Sequence, residues 1–186
     1  MCGFYGSIGK FSEYNKTLVH RGPNEYGEFN GRLGDGKPVS LSQFRLTILD
    51  LNKQNLPWQN NYYYLMYNGE IYNYIELREE LKKLGHVFKT DCDAEVILEA
   101  FTEWNIKCFE KFIGMWAIVL IEKNGKAVYT SRDIAGKKPL FIRHTKNTLE
   151  FASEIKAFSS LHYQDTAFIQ YWEFAQSYES CFNGVW

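Results

Sequence analysis

Residues 62–85, YYYLMYNGEIYNYIELREELKKLG, decide between two folds. The aromatic run Tyr62–Tyr67 has strand composition, and Asn68-Gly69 behind it is the commonest short hairpin signal. A hairpin needs a second strand, and the residues that follow do not supply one. Ile75, Leu77, Leu81 and Leu84 fall near one face of a helix, with Asn73 placed to cap it and Gly85 to stop it. Asn68-Gly69 therefore reads as a strand-to-helix corner, where a side-chain amide and a free backbone N–H can both face a cleft. Asn124-Gly125 is the internal control: it lies between WAIVLIE and AVYTS, two strand-like runs, and there the hairpin reading holds.

Upstream of this stretch, residues 2–8 read as a short strand and 9–19 as a loop. The Gly-Pro of His20-Arg21-Gly22-Pro23-Asn24 marks a turn. Strands are expected at Tyr26–Phe29 and Val39–Phe44, joined by the glycine-rich turn 31–36, with Arg45 just past the second. Downstream, Val87-Phe88-Lys89 reads as a brief strand. AEVILEAFTEW then forms a helix with Val96, Ile97, Ala100, Phe101 and Trp104 inward, and Phe109–Ile113 a shorter helical piece. Asp93, just ahead of that helix, suits either an N-cap or a functional carboxylate. Met115–Ile121, Ala127–Arg132, Leu140–His144 and Leu149–Ser153 form a run of four antiparallel strands, and Glu154–Ala157 opens a helical turn. Many short strands around two amphipathic helices make the class α+β.

A chain of 186 residues suits one domain with a sizeable core, and 45% hydrophobic with 23% charged residues is globular rather than disordered. A formal net charge of −1, with dispersed lysines and arginines, gives no electrostatic case for nucleic acid. No apolar run approaches membrane-spanning length, and MCGFYGSIGKF lacks the basic and long apolar regions of a signal peptide. The four cysteines and four histidines fall in no ligand spacing, so a structural metal is not expected. Reduced thiols and a cytoplasmic location are the expectation.

Cys2 stands apart. The small side chain after Met1 permits removal of the methionine, and Cys2 would then carry a thiol and a free α-amine on one residue. These titrate near ~8.5 and ~7.7–8.0 respectively, which pairs a nucleophile with a base. A small residue at a strand start is the plainer alternative, and position alone does not separate the two.

Seven segments in order bear on that choice: MCGFYG, HRGPN, FRLTILDL, YNGEIYN, TDCDAEVIL, RDIAGKKPLF and FASEIKAF. Together they resemble the glutaminase domain of class II, N-terminal-nucleophile (Ntn) glutamine amidotransferases, and within these the asparagine synthetase branch. The resemblance runs from Met1 to about Phe158. It implies a four-layer α-β-β-α Ntn-hydrolase sandwich of two antiparallel sheets. It also implies roles: Cys2 as nucleophile and, through its α-amine, as base; Asn68 and the Gly69 N–H as oxyanion hole; Arg45 for the glutamine α-carboxylate; Glu70 and Asp93 for its α-ammonium; and Arg21 with Gly22 as a loop ordering the nucleophile. This sequence has Asn24 where the family has aspartate, and only about eleven residues where the family has a helix ahead of that loop.

The expected activity is hydrolysis of L-glutamine through a Cys2 γ-glutamyl thioester. The ammonia would serve a synthetase domain or subunit that amidates a carboxylate, aspartate by default. Amidation of a sugar or peptide carboxylate and a non-catalytic glutamine-binding module are the alternatives, the last favoured if Met1 is retained. Residues 1–160 are expected to be the glutaminase domain and 161–186 either the lead into a synthetase domain or a C-terminal tail. No cofactor is expected in this part, ATP and magnesium belonging to that further domain; no nucleic-acid or membrane partner is expected.

Overall fold

The strands alternate their side chains between two buried faces, and the layering follows from that. In a computed structural model of the protein, residues 1–12, 16–48, 52 and 54–158 are described, with the backbone of 168–169 and 176–177. Strands β1 (Gly3–Ile8), β2 (Glu25–Arg32), β3 (Pro38–Arg45), β4 (Trp58–Gln59), β5 (Tyr63–Ile71), β6 (Gly114–Glu122), β7 (Val128–Arg132), β8 (Phe141–His144), β9 (Leu149–Ala152), β10 (Phe168–Ile169) and β11 (Gln176–Ser177) form two sheets. The first has the order β10-β8-β9-β1-β3-β2 and the second β11-β7-β6-β5-β4, and all strand pairs are antiparallel. The helices are α1 (Tyr74–Lys83) and α2 (Asp93–Trp104).

Phe4, Ile8, Val39 and Leu41 of the first sheet meet Tyr64, Met66, Ala117, Val119 and Ile121 of the second in one buried cluster. The intervening residues of the second sheet, Leu65, Tyr67, Trp116, Ile118 and Leu120, face the other way and pack with Leu77, Leu81, Val96, Ile97 and Phe101 of the helices. On the far side of the first sheet Tyr5 and Phe44 pack with Leu18, Ala157 and Phe158. That outer face is covered by two short 3-10 turns, Lys16–Arg21 and Ile155–Ala157. The result is α+β: two stacked antiparallel sheets with helical layers outside. Burying each such side chain contributes roughly 1.5–3 kcal/mol, which makes the two-faced alternation the main determinant of the fold.

Several local expectations need correction. Asn68-Gly69 is not the corner. β5 continues through it to Ile71, with Asn68, Gly69 and Glu70 opposite Ala117, Trp116 and Met115, and the turn into α1 comes at Tyr72-Asn73. Asn73 occupies the N-cap position without capping: its amide is committed to the Lys111 carbonyl at 2.9 Å and the Ile113 N–H at 2.9 Å. The buried face of α1 is Leu77, Arg78 and Leu81, while Ile75 and Leu84 are exposed. Gly85 does stop the helix, at φ 99°. Val87-Phe88-Lys89 is not a strand, and the segment expected at Phe109–Ile113 is a 3-10 turn over Asn105–Lys111. The run of four late strands is split between the sheets, because the loop 133–140 carries the chain from β7 in one to β8 in the other. The stretch 161–186 lies outside the described residues except where β10 and β11 add a strand to each sheet.

Candidate active site

The same alternation delivers the site. Cys2 precedes β1 in phase with Phe4; Arg45 ends β3 in phase with Val39 and Leu41; Asn68 and Glu70 continue the phase of Tyr64 and Met66 on β5. All four therefore fall on the inter-sheet faces, at the end where the two sheets part. A cavity of about 280 Å³ opens there, lined by Cys2, Arg45, Asn68, Gly69, Glu70 and Asp93. Met1, Trp58, Tyr67, Cys92, Met115 and Lys138 complete much of its wall.

Gly69 has its backbone aimed into this opening. Its partner in the ladder is Trp116, whose N–H and C=O are both taken by Asp133, at 3.2 and 2.9 Å. Gly69 and Trp116 thus form a non-hydrogen-bonded pair, and the Gly69 N–H points away from β6. On that side β4 reaches only as far as Leu65. The next groups along the open edge are held otherwise. The Gln43 amide bonds the Tyr67 C=O at 2.9 Å and its N–H at 3.2 Å, and the Asp93 carboxylate accepts the Ile71 N–H at 3.0 Å. Among the described residues the Gly69 N–H between them has no partner. A Cβ at Gly69 would lie 2.4 Å from the Met115 carbonyl, so only glycine fits.

Asp93 opens α2 but is no N-cap; Cys92 holds that position. Its carboxylate crosses to β5, accepting the Tyr67 hydroxyl at 2.7 Å as well as the Ile71 N–H. Burial pushes the Asp93 carboxyl up from its ordinary value, and those two bonds pull against the rise. Glu70, half-buried, has no partner among the described residues. Arg45 is buried, with its guanidinium on the Glu25 carboxylate at 2.8 Å and the Asn52 carbonyl at 3.2 Å.

Arg21 and Gly22 are both brought against the N-terminus. The Arg21 Nε donates to the Cys2 carbonyl at 2.9 Å. With its amide oriented to satisfy both neighbours, Asn68 donates to the same carbonyl at 3.1 Å and accepts from Arg21 at 3.3 Å. Gly22 lies flat on β3, where a Cβ would stand 2.4 Å from the Phe44 carbonyl carbon. Asn24 accepts the Thr47 N–H at 3.0 Å through its side-chain oxygen, a bond that an aspartate would make equally. Burial pushes the Cys2 thiol up, so near neutral pH it is protonated and needs a base to react.

Sequence reading missed Gln43, Tyr67 and Lys138. Gln43 was visible as a polar residue in phase with Val39 and Leu41, which is a signal for a buried hydrogen-bonding role. The buried Lys138 is set by backbone bonds from the loop to Asp133; its place in the cavity wall had no local sign. Cys2, Cys92 and Cys108 are free thiols. Among the described residues no three His, Cys, Asp or Glu side chains converge as metal ligands would, and no helix is long and apolar enough to cross a membrane.

Residues 1–185 match the family described as the glutamine amidotransferase domain. The chain is 36% identical over 171 residues to asparagine synthetase [glutamine-hydrolyzing] 1 of Bacillus subtilis, covering 84% of this chain and 26% of that protein. It is 44% identical over 147 residues to asparagine synthetase [glutamine-hydrolyzing] 2 of the same organism, covering 77% and 19%. It thus spans about a quarter or less of the length of these relatives. Among solved structures it resembles a glutamine phosphoribosylpyrophosphate amidotransferase from Bacillus subtilis, with a TM-score of 0.65 at 18% identity, over 90% of this chain and 44% of that one. At that identity the likeness is one of fold.

Proposed function

The chain belongs to the glutamine amidotransferase domain family, and from that premise we propose that it hydrolyses L-glutamine at Cys2 and releases ammonia for the amidation of a carboxylate. The observation that carries the reading is the Gly69 N–H, without a partner among the described residues, at the same cavity as Cys2. A nucleophile and a fixed, unused donor are the two parts an acyl transfer needs.

After removal of Met1, the freed α-amine of Cys2 takes the Sγ proton as sulfur attacks the side-chain amide carbon of glutamine. Negative charge then gathers on the amide oxygen, where the Gly69 N–H and the Asn68 amide stabilise it. In the structure Asn68 lies on the Cys2 carbonyl, so its part requires a short rotation toward the substrate. Loss of one such donor typically costs ~10²–10³ in rate. The C–N bond breaks, the proton passes from the α-ammonium to the leaving nitrogen, and ammonia departs from a γ-glutamyl thioester. Water, with the same amine as base, converts the thioester to glutamate and restores the thiol.

An amino-acid zwitterion needs a cation and an anion held apart. Arg45 suits its carboxylate, with Glu25 and the Asn52 carbonyl fixing the guanidinium. Glu70 and Asp93 suit its ammonium. In this reading the ammonia acceptor is bound by a synthetase domain or subunit; relatives named asparagine synthetase [glutamine-hydrolyzing] support asparagine as the first candidate product.

The test is glutamate release by the purified chain, with intact mass to establish whether Met1 has been removed. Activity is expected only in the Met-free form and is lost in Cys2→Ala. Glutamate release that survives Cys2→Ala overturns the mechanism.

A further inference from the structure

The FASEIKAF segment contributes more than β9. That strand pairs with β1 from Tyr5 onward, and Ser153 extends the contact by one residue. Its N–H bonds the Phe4 carbonyl at 2.9 Å and its hydroxyl accepts the Phe4 N–H at 3.1 Å. The next residue, Glu154, leaves the sheet with extended backbone, φ −146° and ψ 141°, beside the start of β1. Its Oε1 accepts from the Arg21 guanidinium at 2.8 Å and meets the His20 Nε2 at 2.9 Å, while Oε2 meets Lys156 at 3.0 Å.

Arg21 is nearly buried, and its stem packs on Gly3, where a Cβ would stand 3.0 Å away. One edge of its guanidinium is on Glu154; Nε and the other terminal nitrogen reach the Cys2 carbonyl and Asn68. A planar cation so placed has its direction set by whichever anion it faces. Partial burial pushes the Glu154 carboxyl up, but the bonds from Arg21, Lys156 and His20 outweigh it and hold it at about 2, so it is anionic near neutral pH.

We propose that Glu154 is a positioning residue for the nucleophile: it aims Arg21, and Arg21 in turn fixes the Cys2 carbonyl and the Asn68 amide on which the orientation of the reacting end depends. The proposal rests on Cys2 being the nucleophile. Glu154 touches no substrate; it acts through Arg21 alone. With the cation unaimed, Cys2 and Asn68 lose their common anchor, and misplacement of about 1 Å can cost up to ~10² in rate.

The experiment compares the 186-residue chain, its methionine removed, with Glu154→Gln, Arg21→Lys and the double variant. It reads kcat and KM for glutamine hydrolysis, Tm, and the alkylation rate of Cys2 by iodoacetamide. Glu154→Gln is expected to lower kcat about tenfold or more, with KM and Tm little changed and slower alkylation of Cys2. The double variant is expected to be no worse than Arg21→Lys, because both lesions break one chain of contacts. Glu154→Asp, which keeps the charge, should recover part of kcat. Unchanged kcat in Glu154→Gln, or losses that multiply in the double variant, overturn the proposal. If Glu154→Gln does not fold, Glu154→Asp decides: a kcat equal to the parent's counts against positioning and a reduced one supports it. If Cys2→Ala still hydrolyses glutamine, the nucleophile assignment is what has failed. Alkylation then tests Glu154 by itself, slower in Glu154→Gln if it positions Cys2 and unchanged if it does not.

Discussion

At the scale of single residues, Asp93 shows how much of the cavity's charge is set by neighbours. Its carboxyl is raised by burial and restrained by the Tyr67 hydroxyl and the Ile71 N–H. Tyr67→Phe removes one restraint, so the Asp93 carboxyl should rise further. If the ionised carboxylate receives the substrate ammonium, the acid limb of kcat/KM moves to higher pH in Tyr67→Phe, while the rate at high pH changes little. A pH profile of glutamine hydrolysis checks this; an unmoved acid limb separates Asp93 from substrate binding. The resemblance singled out Cys2, Arg45, Asn68, Gly69, Glu70 and Asp93 through short motifs, and the fold brings all six to the wall of one cavity. Tyr67 was not, since its function depends on a partner 26 positions away in the chain. Glu154 was part of a recognised motif, yet its link to Arg21 spans 133 positions and only the fold reveals it.

At the scale of elements, the switch from strand to helix around Asn68-Gly69 was correctly read and wrongly placed. Nothing local marks β5 as continuing to Ile71; pairing with β6 carries it there. A tertiary ladder outweighed the turn propensity of Asn-Gly. The helices themselves are tied at the other end by His86, which follows the stop at Gly85. Its Nδ1 and Nε2 meet Glu99 at 2.6 Å and Glu103 at 2.9 Å, both on α2. Burial pushes this imidazole down, but the two carboxylates outweigh burial and leave it raised. A group raised in the folded state stabilises fully below its unfolded value, near ~6.5, and the contribution fades as pH climbs through the folded value. The wild-type Tm should therefore fall as pH rises across that window, and His86→Gln should flatten the fall. A dependence that survives His86→Gln assigns it elsewhere.

At the scale of the whole molecule, many short strands around two amphipathic helices made the α+β class legible, and the resemblance supplied the two stacked sheets. What stayed hidden was how strands are shared out: adjacent segments β7 and β8 lie in different sheets. Gln43 belongs to this scale, since it reaches from β3 in one sheet to the Tyr67 backbone in the other, beside Gly69. Gln43→Leu keeps the volume roughly and strands a buried N–H and C=O. Chemical denaturation should show a loss of about 2–4 kcal/mol, with kcat falling as the edge beside Gly69 loosens. A loss under about 1 kcal/mol would mean that the staple is dispensable. The central claim, that glutamine is opened by a thiol at the chain's first residue, is tested most directly by trapping. The methionine-free protein is mixed with glutamine, quenched in acid within the turnover time, and digested for mass analysis. The account predicts a γ-glutamyl group on the sulfur of the peptide that begins at Cys2, absent from Cys2→Ala. Turnover with that peptide unmodified at every quench time, or the group found on Cys92 or Cys108 instead, would contradict it.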